Sequence, residues 1–290
     1  MDQASNRIEL LSEASLMVQF DNVNVIKIIG VVTVGDPLLL VIEYCENGCL
    51  EVLLQRFNIN QELQMRFSLD CAKGMVYLSS LNYVHRDLAA RNVFISSDLT
   101  AKIGDFGLAR ANVDSEYYIS RSATLSIRWS SPEALEDRKF SEQSDVWSFG
   151  VLLYEIWSHG TLPYNGMTAK KVWAGVIKGM KLKQPSTCPD DIYLVMQSCW
   201  GNYGERPKFT VLFQTLSIFA VEYSSSTTDS DKQRPSLTLL DTLNISAGQE
   251  KRLTESLSQL PKRSSHQQEY HASIESRQDL TERQAIETDI

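Results

Sequence analysis

The sequence predicts an α+β fold, with a small strand-bearing segment followed by a larger, mainly helical body and a polar tail. Three observations carry that expectation. Two apolar, β-branched runs, Val25 to Thr33 and Leu38 to Tyr44, flank the turn signal Gly35-Asp36-Pro37. Helical periodicity then dominates from about Leu50 to Leu216, and the composition changes sharply near Tyr223.

The elements follow in order. Over residues 6–19, Ile8, Leu11, Leu16 and Met17 recur near helical spacing with Glu13 between them. The two runs after it read as a hairpin packed under that helix, and Pro37 to Ile42 reads as a buried strand. Glu46-Asn47-Gly48 breaks the pattern. Leu63, Phe67, Cys71, Met75 and Leu78 mark one amphipathic helix. Val146, Phe149, Val151, Leu153 and Ile156 mark another that is apolar almost all round, as a buried helix must be. The 67 residues from Ser224 to Ile290 hold a single aromatic, Tyr270. That is too little apolar surface to offset the entropy of ordering, so a disordered tail is expected, with a short helix near Leu253 to Leu260. The expected division is therefore residues 1–222 and a tail, residues 223–290.

The net charge of −8 and the absence of a basic stripe exclude an ordinary nucleic-acid-binding domain. The five cysteines, an odd number without a CxxC pair, fit neither a disulfide framework nor a zinc site and imply a reducing, cytosolic compartment. No apolar run approaches the length of a membrane span, and the N-terminus lacks a signal-peptide pattern. If the parent protein is a plasma-membrane receptor, its anchor is expected outside these residues.

The most informative segment is Tyr83-Val84-His85-Arg86-Asp87-Leu88-Ala89-Ala90-Arg91-Asn92, with Asp105-Phe106-Gly107 thirteen residues after Asn92. It resembles the catalytic loop of protein kinases, HRDxxxxN followed by DFG. Ser131-Pro132-Glu133 stands where kinases have A-P-E. Asp145-Val146-Trp147-Ser148-Phe149-Gly150 is similar to the buried helix whose Asp bonds the catalytic-loop backbone, and Arg206 to the Arg that pairs with the Glu of A-P-E. The resemblance implies a protein-kinase-like fold, with a complete helical large lobe and a partial small lobe of one helix and a hairpin. It implies ATP and Mg²⁺ as cofactors. Asp87 would orient the attacking hydroxyl and accept its proton, with Arg91 beside it, and Asn92 and Asp105 would hold the metal. Glu13, Ile42, Glu43, Phe94 and Asp105 would face the nucleotide.

Tyrosine is the expected acceptor. Serine/threonine kinases carry Lys two residues after the catalytic Asp; here that position is Ala89, and the cation is Arg91. Ile127-Arg128-Trp129 resembles the substrate platform of tyrosine kinases, with one departure. Ser126 stands where the family has Pro, which predicts a looser backbone there. Tyr117 and Tyr118 resemble activation-loop phosphorylation sites, whose phosphates would pair with Arg86.

Glu13 to Asp21 and Tyr83-Val84-His85 resemble ephrin-receptor kinases; the paired tyrosines are more similar to insulin-receptor and focal-adhesion kinases. The resemblance reaches from about residue 6 to residue 221. Family members also have a GxGxxG loop and a strand Lys ahead of the Glu matched by Glu13. Here no GxGxxG precedes Glu13, and the first Lys is Lys27. The expectation is a tyrosine kinase whose small lobe is incomplete in these residues, so that they alone bind ATP weakly and transfer phosphate slowly. The alternative is a pseudokinase or scaffold. Protein tyrosine substrates are the expected partners. The terminal Glu287-Thr288-Asp289-Ile290 fits a PDZ ligand, and Tyr270 a docking site for phosphotyrosine-binding modules.

Overall fold

A computed structural model of the chain describes residues 11, 14, 15, 17–34, 39–106, 110, 111, 118, 119 and 126–225. All lie within the unit Met1–Leu243; a second unit, Asn244–Ile290, lies outside them. Also outside are Glu13, the turn Gly35-Asp36-Pro37, Gly107, Tyr117, Tyr270, the C-terminal tetrapeptide and the polar tail from residue 226.

Residues 11, 14, 15 and 17 are helical, and Ala14, Met17 and Phe20 are buried. Strand β1 (Ile28–Val32) pairs antiparallel with β2 (Leu39–Ile42), with Ile28 opposite Ile42 and an irregularity between Ile28 and Gly30. β1 begins later than the apolar run suggests because Asn24 to Ile26 are engaged elsewhere. Ile26 N–H donates to Ile103 O at 2.8 Å, and Ile103 N–H donates to Asn24 O at 2.9 Å. Nor is β2 the buried strand expected: Leu39 and Ile42 are 43% and 40% exposed. Among the described residues its one sheet partner is β1, and such a two-stranded ribbon covers its faces poorly.

Helix α1 (Leu50–Arg56) leads to α2 (Gln61–Ser80), where the Asn60 side chain caps the N-terminus by accepting from Leu63 N–H at 2.9 Å. Leu63, Phe67, Cys71, Met75 and Leu78 all turn inward, as their spacing predicts. At Gly74, α2 meets the segment before β1 closely: an added Cβ would lie 2.5 Å from Asn24 O. Three short pairings follow. β3 (Tyr83–Val84) pairs with β6 (Arg110–Ala111), β4 (Val93–Ile95) with β5 (Ala101–Ile103), and β7 (Tyr118–Ile119) with β8 (Lys139–Phe140), all antiparallel.

The rest is helical: α3 (Pro132–Glu136), α4 (Glu142–Trp157), α5 (Ala169–Ile177), α6 (Asp190–Cys199) and α7 (Phe209–Ser225). Proline at the start of α3 has no N–H to leave unsatisfied. Ser141 and Ser144 form a capping box on α4, and nearly every α4 side chain is buried, with α2 on one side and α6 on another. The class is α+β with mainly helical content and small sheets, as the sequence predicts. All five cysteines are free. Among the described residues no helix is long and apolar enough to cross a membrane.

Candidate active site

The loop from His85 to Asn92 hangs from two buried carboxylates of α4, one at each end. Asp145 Oδ2 accepts from His85 N–H at 2.6 Å and Asp145 Oδ1 from Arg86 N–H at 2.9 Å. These bonds hold the chain where Arg86 turns through a left-handed φ of 72°. Burial pushes the Asp145 carboxyl up to about 7, while the Arg86 and His85 N–H groups pull the other way. At the far end Glu155 Oε2 accepts from Ala90 N–H and from Trp129 Nε1–H, each at 2.9 Å. Burial pushes the Glu155 carboxyl up to about 7 as well.

Between those anchors the Asp87 carboxylate is held on both oxygens. Oδ1 accepts from Arg91 Nη2 in a short ion pair, and Oδ2 accepts from Asn92 Nδ2 at 2.8 Å. Asn92 Nδ2 also donates to Asp87 O at 2.7 Å. Arg91 Nη2 donates in addition to Ser126 Oγ at 2.9 Å, and its Cζ lies 4.3 Å above the Trp129 ring. The platform is therefore tied rather than loose at Ser126: Trp129 N–H donates to Ser126 O at 2.9 Å, and Ser130 Oγ donates to the same oxygen at 3.0 Å. Arg128 anchors it from behind, with Nη1 donating to Pro163 O and Tyr164 O and Nη2 to Met167 O.

The β4–β5 pairing brings the second acid to this loop. Gly104 N–H donates to Asn92 O at 2.9 Å, which sets Asp105 beside Asn92 with a left-handed φ of 59° and an exposed side chain. His85 Nε2 lies 3.1 Å from Gly104 O, and Asp87 N–H donates to His85 Nδ1 at 3.3 Å. The network therefore calls for neutral His85 with its proton on Nε2, and burial lowers its pKa in the same sense. The Phe106 ring lies 5.3 Å from both His85 and Phe20, fixing the residue after Asp105 in the core.

The other expected site residues divide. Phe94, on β4, packs against Gly104, where an added Cβ would meet its ring at 2.9 Å. The connector after β2 is laced to β4 as well: Asn47 N–H donates to Ile95 O and Ile95 N–H to Gly48 O. Ile42 ends β2 and Glu43 follows it at the head of this connector. The Glu43 side chain, however, holds Lys102 at 3.0 Å and accepts from Lys27 N–H at 2.7 Å, so it braces β2 against β5. Glu13 and Tyr117 lie outside the described residues. The Tyr118 backbone pairs opposite Phe140, over whose ring Arg86 Cζ stands at 4.4 Å. Arg206 meets Glu133 through both guanidinium Nη atoms, the pairing the resemblance implies.

Sequence reasoning missed Glu155 and the Ser126 hydroxyl. The signal for Glu155 was an acid in an otherwise apolar stretch of α4; nothing local marks Ser126 as a partner of Arg91. Asn92 and Asp105 together offer hard oxygen donors of the kind Mg²⁺ takes. Among the described residues no group of three or more His, Cys, Asp and Glu could hold a metal alone.

Residues 1–216 match the family model for protein tyrosine and serine/threonine kinases. Over 217 residues, 72% of the chain, it is 43% identical to ephrin type-A receptor 3 of Danio rerio, and equally to ephrin type-A receptor 5 of Rattus norvegicus. It is 42% identical to ephrin type-A receptor 7 of Gallus gallus over 210 residues, 70% of the chain. The aligned parts are 22%, 21% and 21% of those relatives, so the chain spans about a fifth of the length of the curated relatives it matches. The loop geometry and a family match over most of the chain agree, and the chain belongs to the family of protein tyrosine and serine/threonine kinases.

Proposed function

We propose that this chain is the catalytic part of a receptor-type protein tyrosine kinase, which transfers the γ-phosphate of ATP to a protein tyrosine. The observation that carries the reading is the cation beside Asp87. Ala89 is fully buried and uncharged, and the positive charge at the carboxylate comes from Arg91, held over Trp129. A cation set back in this way leaves room for a phenol, which extends further from its backbone than a serine hydroxyl.

In this mechanism Asp87 orients the acceptor hydroxyl and takes its proton as the oxygen attacks phosphorus. Arg91 fixes Asp87 and faces the developing charge. Asn92 and Asp105 would hold Mg²⁺, whose charge offsets that of the phosphates. Asn92 also restrains Asp87, so one side chain links the metal side of the site to the base. Ile42, Phe94 and the backbone at Glu43 would line the nucleotide cleft. Tyr117 and Tyr118 would be phosphorylated, and the pairing of β7 with β8 runs beside Arg86, whose Cζ stands over Phe140.

The test is phosphate transfer from radiolabelled ATP to tyrosine, serine and threonine peptides, with Asp87→Asn as control. Tyrosine labelling lost in Asp87→Asn is expected. Labelling mainly of serine or threonine refutes the acceptor. No transfer above the control, both from these residues alone and after a segment carrying a GxGxxG loop and a strand Lys is joined ahead of them, favours the docking or scaffold alternative.

A further inference from the structure

We propose that Ser126 is a positioning residue that ties Arg91, and through it Asp87, to the platform on which an acceptor peptide would lie. Its consequence for catalysis rests on the tyrosine-kinase reading. The residue stands where the family pattern has proline, and a proline ring offers no side-chain acceptor. The bond from Arg91 Nη2 to Ser126 Oγ, at 2.9 Å, therefore exists because this chain has serine there.

Three restraints meet on the Arg91 guanidinium: the Asp87 carboxylate, the Ser126 hydroxyl and the Trp129 ring face. Among the described residues, the hydrogen bonds Arg91 makes to protein acceptors all leave from Nη2. With Ser126 removed, the guanidinium keeps Asp87 and Trp129 but can swing about both.

The same bond closes a circuit. Ala90 N–H donates to Glu155, which also accepts from the Trp129 indole. The Trp129 backbone N–H donates to Ser126 O, Arg91 donates to Ser126 Oγ, and Arg91 returns to Asp87. Of these links, the bond from Arg91 to Ser126 Oγ joins the loop that carries the base directly to the segment that would carry the peptide, and Glu155 joins the two through α4. Ser126, like Trp129, joins the circuit through both side chain and backbone. Its backbone link survives any substitution, so a side-chain change isolates the Arg91 tie.

The experiment compares Ser126→Ala, which removes the acceptor, with Ser126→Thr, which keeps a hydroxyl, in the 290-residue chain. The first readout needs no nucleotide: the NMR resonance of the Trp129 indole N–H, assigned by its loss in Trp129→Phe. The second is the split between kcat and KM in transfer to a tyrosine peptide, and the third the melting temperature. In Ser126→Ala the indole resonance should move and kcat should fall about three- to tenfold, the range for losing one charge-assisted, partly exposed hydrogen bond. KM for ATP and the melting temperature should stay near wild type, and Ser126→Thr should restore both resonance and kcat.

An indole resonance and kcat in Ser126→Ala that match wild type overturn the proposal. So does a resonance that moves with no change in kcat, and so does equal loss of melting temperature in both variants, the mark of a merely structural role. Wild type with no transfer above Asp87→Asn bears on the tyrosine-kinase reading and on the incomplete small lobe, not on the Ser126 tie. The indole comparison then still decides whether Ser126 holds Arg91 to the platform.

Discussion

Replacing Glu155 with glutamine separates a buried charge from the hydrogen bonds it makes. Both bonds reach one oxygen, Oε2, from Ala90 N–H and Trp129 Nε1–H. A glutamine in the same rotamer keeps both through its carbonyl oxygen and places its amide where Oε1 stood. Only the charge is lost. Burial raises the carboxyl from 4.5 to about 7, against the pull of Trp129, Ala90 and Arg91. A folded-state value above the ordinary one means that the contribution of Glu155 is fully present below 4.5 and is lost as pH rises through about 7. At about 1.36 kcal/mol per pH unit, the loss amounts to about 3 kcal/mol on the alkaline side. Glu155→Gln should therefore match wild type near about pH 5 and exceed it near about pH 8.5 by about 2–3 kcal/mol, or about 5–10 °C in melting temperature. Thermal and urea unfolding at several pH values measure this directly. A difference that does not change with pH, or a variant less stable than wild type on the alkaline side, refutes the reasoning. Either result would mean that Arg91 keeps Glu155 ionised throughout.

Arg206→Lys should destabilise the chain by about 2–4 kcal/mol, because an ammonium cannot reproduce the two-point contact with Glu133 at a site where the Arg206 side chain is 1% exposed. Urea denaturation checks this, and the loss should persist in high salt. Gly74→Ala should also destabilise: the added Cβ meets backbone Asn24 O at 2.5 Å, and a clash of about 1–3 kcal/mol exceeds the helix-propensity gain of about 1 kcal/mol. A raised melting temperature in that variant would show that the segment before β1 moves aside freely. Replacing Tyr117 and Tyr118 together with Phe should lower the transfer rate reached after preincubation with ATP; an unchanged rate excludes them as activating sites.

Much of the site was legible in one dimension. The order His85, Arg86, Asp87, Arg91, Asn92 and Asp105 matches a motif of the kinase family, and a motif of fixed order and spacing can be read along the chain. The buried faces of α2 and α4 were legible for a similar reason: Leu63, Phe67, Cys71, Met75 and Leu78 repeat at the helix period, and a nearly all-apolar α4 had to be buried. β2 misled because an apolar run states a preference for burial without saying how many strands will cover it. The partners of polar side chains were invisible to periodicity, since they are chosen by how distant elements dock. Glu155 finds Ala90 across 65 residues and Arg91 finds Ser126 across 35, and neither distance leaves a pattern in the intervening sequence. The sequence by itself determined which groups the candidate site would draw on and which helix faces turn inward, because order and period are local properties of a chain. Only the tertiary structure decided that α4 would hold the catalytic loop by its two ends and that a serine would hold its arginine, because those contacts exist only after the helices have packed.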